Sequence, residues 1–169
     1  MKIKKIAAIT LAAVFALTML TGCMTTTTTT TTKDEGEVTI YVDESLKEMI
    51  TAAATAYTKP VRELPEREKA IILITDDTSE NIVSRIEAGE YADAVFVSGE
   101  ETLDAIDAAA NGQDFAIHST RISLTGADGT VCAIAIMNNS DRQSVIQGFM
   151  DYLVSEEAET VLSEYGFTK

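Results

Sequence analysis

The chain has 169 residues and a formal charge of −14, with 27 acidic against 13 basic residues. One ordinary domain fits that length, and so acidic a chain is repelled by phosphate backbones and anionic headgroups. This excludes nucleic acid as a partner and a basic patch as the means of meeting a membrane.

Met1–Gly22 starts with Lys2, Lys4 and Lys5, continues through an apolar stretch from Ile6 to Leu20 and ends in Leu20-Thr21-Gly22-Cys23. It reads as an export signal closing on a bacterial lipobox, with cleavage before Cys23 and a palmitate-type lipid anchor on that cysteine. A single-pass helix is the competing reading, but the run is short for the roughly 20 residues a span needs. Removing the three lysines takes the charge from −14 to −17. Thr25–Thr32 is a run of threonine alone, followed by Lys33-Asp34-Glu35-Gly36. Such a stretch has nothing to bury, so residues 23–36 read as a tether and 37–169 as one folded domain on the extracytoplasmic face of the cell membrane.

Val38–Val42 is β-branched and aromatic and predicts a first strand. Ser45-Leu46-Lys47-Glu48 has the capping-box spacing, with Ser45 as N-cap of a helix to about Tyr57 whose inner stripe is Leu46, Met49, Ile50, Ala53 and Tyr57. Lys59 to Lys69 carries both prolines, Pro60 and Pro65, among many charges and reads as a solvated connection. Ile71–Thr75 is almost wholly apolar and predicts a buried strand covered on both faces. Thr78 or Ser79 then caps a helix with Ile82, Val83 and Ile86 inside, and Gly89 ends it before the apolar run Ala92–Val97. A strand-helix-strand unit of this kind makes its two strands parallel.

Beyond Val97, Leu103, Ile106 and Ala110 define a third helix. Phe115–Ile117 and Arg121–Leu124 are each short strand candidates, with Gly126-Ala127-Asp128-Gly129 as a turn. Thr130–Met137 reads as a central strand, and its Cys132, with Cys23 assigned to lipid, has no disulfide partner and reads as a small buried hydrophobe. Asn138-Asn139-Ser140-Asp141 precedes a helix carrying Val145, Ile146, Phe149, Met150 and Leu153. Ser155 starts the last helix, which Gly166 closes. The expected fold is α/β, a three-layer αβα sandwich around a four- to five-stranded, mostly parallel sheet.

Three stretches carry a resemblance. YVDESL contains Ser45; DTSENIVSRIEAGEYADAVFVS contains Ser79, Gly89, Ala92 and Asp93; IQGFMDYLVSEEAETVLSEYGFTK closes the chain. Together they resemble the molybdate-type family of periplasmic solute-binding proteins, which deliver oxyanions to ABC importers, and they cover most of Val38–Ser98 and Val131–Lys169. The resemblance implies lobe 1 of the type II binding-protein fold, with Ser45 and Ser79 at helix starts beside neighbouring strand ends as the ligand-binding pair. It departs from the family in two places. What would form the second lobe is compressed into about 111–130, and the family's small neutral residues beside the serines are Asp43-Glu44 and Asp76-Asp77 here.

Helix starts and hydroxyls suit an oxyanion, each helix end adding roughly 0.3–1 kcal/mol. A carboxylate about 4 Å from an anion costs on the order of 1–4 kcal/mol, so repulsion wins unless the four acids point away. Asp43, Glu44, Asp76 and Asp77 could alternatively converge on a hard cation, or only complement helix dipoles, just as both serines could be N-caps alone. The candidate ligand residues are therefore Ser45, Ser79, Asp43 and Asp77. His118 stands without a second His or a Cys to complete a metal set, and no nucleophile elbow, P-loop or HExxH occurs, so neither a cofactor nor an enzyme is expected. Two functions remain: the binding component of an oxyanion importer, with a permease as partner, or a cell-surface interaction module that binds a protein or its own copy.

Overall fold

The structure, a computed structural model, describes residues 37–58, 71–110 and 117–169. The expected signal peptide, the expected lipid site at Cys23, the expected tether, the connection at 59–70 and residues 111–116 lie outside them. Strand β1 (Glu37–Asp43) leads through a 3-10 turn (Glu44–Leu46) into helix α1 (Lys47–Thr58). Then come β2 (Ile71–Asp77), α2 (Ser79–Glu87), β3 (Ala94–Ser98) and α3 (Glu100–Ala110). The chain continues as β4 (Ile117–Gly126), β5 (Val131–Met137), α4 (Gln143–Leu153), α5 (Glu156–Glu164) and β6 (Phe167–Thr168).

The strands form one sheet in the order β2-β1-β3-β5-β4-β6. β1 runs parallel to both β2 and β3, as the helical crossovers require, while β5 is antiparallel to β3 and to β4, and β6 is antiparallel to β4. The three-layer α/β architecture stands, but its sheet has six strands and is mixed, where four or five mostly parallel strands were expected. The reason lies in the connection between β4 and β5, a tight turn closed by Gly129, whose φ of 89° suits glycine. A connection that short reverses the chain and can only make an antiparallel pair. The strand candidate Arg121–Leu124 lies within β4, whose register with β5 shifts between Ile117 and Arg121, while Phe115 and Ala116 of the other candidate lie outside the described residues.

Alternation along the strands sends side chains to two cores. Ile40, Val42, Phe96, Ile134 and Ile136 pack under α1, α4 and α5, with Phe149 and Met150 at the centre. Tyr41, Val95, Val97, Ala133 and Ala135 pack on the other face under Ile82 and Ile86 of α2 and Leu103 and Ile106 of α3. β5 is central and buried at six of its seven residues. β2 is not the doubly covered strand that its composition predicts. Among the described residues it occupies the sheet edge with β1 as its one sheet neighbour, so Ile72 and Ile74 reach one core while Leu73 on the other face is 42% exposed.

A buried carboxylate ties three strands together at the start of β3. Asp93 accepts from the Thr39 amide at 2.7 Å, the Tyr91 hydroxyl at 2.6 Å and the Ser140 hydroxyl at 2.7 Å. Its own amide donates to Thr39 and its carbonyl accepts from Met137. Asp93 thus fixes the register of β1, β3 and β5 and anchors the turn before α4, whose Ser140 makes no conventional helix cap.

Candidate functional site

Because β1, β2 and β3 are parallel, Asp43, Asp77 and Ser98 end them along one edge of the sheet, with Asp43 in register with Asp77. The 3-10 turn into α1 and helix α2 begin at the same end of the strands, so the Ser45 and Ser79 amides meet Asp43 there. Asp43, not Ser45, caps the turn into α1: its side chain accepts the Ser45 amide at 2.9 Å and the Ser45 hydroxyl at 2.5 Å, both at Oδ1. The shift of one cap position has a local cause. An aspartate bonding the amide two residues on makes an Asx turn, which outcompetes a serine that would have to bond its own helix. α2 is capped by Thr78, which accepts from the Asn81 amide at 3.2 Å, leaving Ser79 as the first helical residue.

The other carboxylate oxygen of Asp43 reaches the second helix. Oδ2 accepts the Ser79 amide at 3.0 Å and the Ser79 hydroxyl in a short hydrogen bond. The same hydroxyl accepts from the Ser98 amide at 3.2 Å, which joins the end of β3 to the group. One carboxylate, only 7% exposed, therefore takes four hydrogen bonds, two from the 3-10 turn before α1 and two from the first residue of α2. Burial pushes the Asp43 acid upward, but the hydroxyls of Ser45 and Ser79 and then their amides hold it below the ordinary aspartate value.

Asp76 and Asp77 are turned elsewhere. Asp76 pairs with Lys47 at 2.9 Å, and that contact keeps its carboxyl below the usual range. Asp77 accepts from the Asn81 side chain at 2.7 Å and the Thr78 amide at 2.9 Å, with Arg85 at 3.6 Å. It serves the start of α2 and does not join Asp43. Among the described residues, no group of three His, Cys, Asp or Glu side chains is placed to hold a metal ion.

Against Asp43, Ser79 and Ser98 lies an open cleft of about 490 Å³ between α2 and α3, also lined by Glu80, Glu101 and Thr102. Cys132, in register with Ser98, is buried behind this edge, and burial together with the Asp43 charge pushes its thiol upward. The structure thus brings Ser45, Ser79 and Asp43 together and sets Asp77 apart. Sequence reasoning missed the Ser98 amide and the position of Asp43 between the serines. The Asp-x-Ser spacing signals the Asp43–Ser45 half of the arrangement; no local pattern signals the half that spans to Ser79.

In fold this chain resembles solved substrate-binding domains of oxyanion-type solute-binding proteins. No family model and no curated protein matches it. Among solved structures it is similar to a substrate binding domain ascribed to a molybdenum ABC transporter from Clostridium difficile, with a TM-score of 0.58 and 11% identity, over 79% of this chain and 98% of that one. It is also similar to the sulfate-binding protein SubI from Mycobacterium tuberculosis H37Rv, with a TM-score of 0.56 and 8% identity, over 78% of this chain and 86% of that one. At such identities the likeness is one of fold.

Proposed function

We propose that this chain is an extracytoplasmic lipoprotein, held to the cell membrane by lipid on Cys23 and spaced from it by the threonine tether. Its domain 37–169 serves as a single-lobe solute-binding component of an oxyanion-type ABC import system, with a permease as its membrane partner. The observation that carries this reading is the convergence of Ser45 and Ser79, from two helix starts, on one oxygen anion at the strand ends. Four donors arranged in this way favour a small tetrahedral oxyanion over a neutral or cationic solute. Catalysis is disfavoured, because a carboxylate whose proton affinity is lowered is a poor base for a serine hydroxyl.

A second reading is favoured by one specific observation: the anion in the cradle is the protein's own Asp43. On that reading the scaffold is a cell-surface interaction module without a small-molecule ligand. Calorimetry of the mature chain, with Cys23→Ser to keep it out of lipid, separates the two. Heat with molybdate, tungstate or sulfate that disappears in the Ser45→Ala/Ser79→Ala double variant supports the first. No heat with any of them, in the wild type or after removal of the Asp43 carboxylate, leaves the second.

A further inference from the structure

We propose that Asp43 is a tethered occupant of the oxyanion cradle, so that a free oxyanion binds only by displacing this carboxylate. The inference rests on the solute-binding reading and adds the residue that sets the affinity of the site.

The hydrogen bonds divide as they would around a bound oxyanion. Oδ1 takes the amide and hydroxyl of Ser45, and Oδ2 takes the amide and hydroxyl of Ser79. One group thus serves the turn into α1 and the first residue of α2, and neither serine hydroxyl is left to donate to a second anion. The neighbouring acids do not share this position: Asp76 is drawn to Lys47 and Asp77 to Asn81, Thr78 and Arg85. Of these three aspartates, Asp43 alone occupies the cradle. The adjoining cleft of about 490 Å³ reaches Asp43 and Ser79 directly, so an incoming oxyanion meets the occupied cradle from the solvent side.

Nothing in the Asp43 backbone forbids a swing of its side chain. The residue sits at φ −56° and ψ 134°, an ordinary extended conformation open to any amino acid. Occupied and vacant cradles are then two states of one site. The apparent affinity for a free oxyanion is the intrinsic affinity reduced by the vacant fraction, so a carboxylate that holds the cradle nine-tenths of the time or more weakens binding about tenfold or more.

The test compares wild type with Asp43→Gly and Asp43→Ser in calorimetric titrations with molybdate, tungstate and sulfate at pH 7.5. Glycine removes the occupant. Serine keeps an oxygen able to cap the Ser45 amide but is too short to span to Ser79, which protects the fold if glycine does not. At least tenfold tighter binding of one oxyanion in a folded variant, abolished by adding Ser79→Ala, is the expected result. A wild type that binds as tightly as the variants overturns the tethered occupant and leaves the solute-binding reading intact. Folded variants that bind nothing overturn both. As an independent measure, the ¹³C resonance of the Asp43 carboxylate in the wild type should move on saturation with any oxyanion that binds; a resonance that stays fixed also overturns the proposal.

Discussion

Asp43 and Ser79 lie 36 positions apart, yet the amide and the hydroxyl of Ser79 both donate to Asp43 Oδ2, the amide at 3.0 Å. Through that one oxygen the end of β1 is fastened to the start of α2, and through Ser79 to the Ser98 amide at the end of β3. The same contact that fills the cradle therefore also holds three strand ends together.

Acid should weaken the fold at this point. The folded Asp43 carboxyl is held below its ordinary value of 3.8, so its contribution is complete at neutral pH and is lost as pH falls through the lower folded value. Asp43→Asn keeps the shape and gives up the charge. It should cost about 1.5–3 kcal/mol at pH 7, the range for hydrogen bonds to an ionised group. The gap between wild type and variant should stay constant above about pH 5 and narrow below the ordinary aspartate value, as read from urea denaturation at several pH values. A gap that does not change down to pH 2.5 would refute the assignment.

Asp93 should be the costlier carboxylate to remove. It is fully buried and answers the Thr39 amide and the hydroxyls of Tyr91 and Ser140. Asp93→Ala leaves the Thr39 donor and the Ser140 hydroxyl without this acceptor inside the protein, so a loss of about 3 kcal/mol or more is expected. Asp93→Asn, which keeps one acceptor oxygen, should lose clearly less. Denaturant midpoints for the two variants check the ranking, and an alanine variant as stable as the asparagine variant would contradict it.

Much of this was legible in the sequence. Apolar periodicity located α2 through Ile82 and Ile86 and α3 through Leu103, Ile106 and Ala110, and Gly89 and Gly166 take the positive φ expected of helix-ending glycines, 82° and 77°. Such signals are local, and they carry no information on strand order. Ile71–Thr75 looks doubly covered because composition records hydrophobicity alone, whereas the exposure of Leu73 follows from β2 lying at the edge. The site divides in the same way. Asp43 and Ser45 are two residues apart and can be paired on paper, while the bond to Ser79 depends on the parallel pairing of β1 and β2.

Cys132 should behave as an inert thiol. It is fully buried, and burial, reinforced by the Asp43 charge, keeps it protonated at neutral pH, while alkylation needs the thiolate, which attacks the reagent and displaces iodide. In the Cys23→Ser chain, iodoacetamide should label nothing under native conditions at pH 8 and one site per chain in guanidinium, as read by intact mass. Rapid native labelling would mean that this edge of the sheet opens far more often than its packing implies.

Gly148 should resist the usual benefit of alanine in a helix. At a free helical position Gly→Ala gains roughly 0.5–1 kcal/mol. Here a Cβ would stand 2.9 Å from the Tyr57 hydroxyl oxygen, closer than such atoms pack. That oxygen is the far end of its side chain, but the ring behind it is fixed. Tyr57 is 6% exposed and packs at 5.3 Å between ring centroids against both Phe149 and Tyr152. The tyrosine can give way only by disturbing that cluster, so Gly148→Ala should lower the melting temperature or leave it unchanged. Tyr57→Phe removes the offending oxygen, and in that background Gly148→Ala should raise the melting temperature. The sign change between backgrounds is the measurement: a Gly148→Ala that stabilises the wild type as much as the Tyr57→Phe protein would show that α1 and α4 pack more loosely than the ring contacts require.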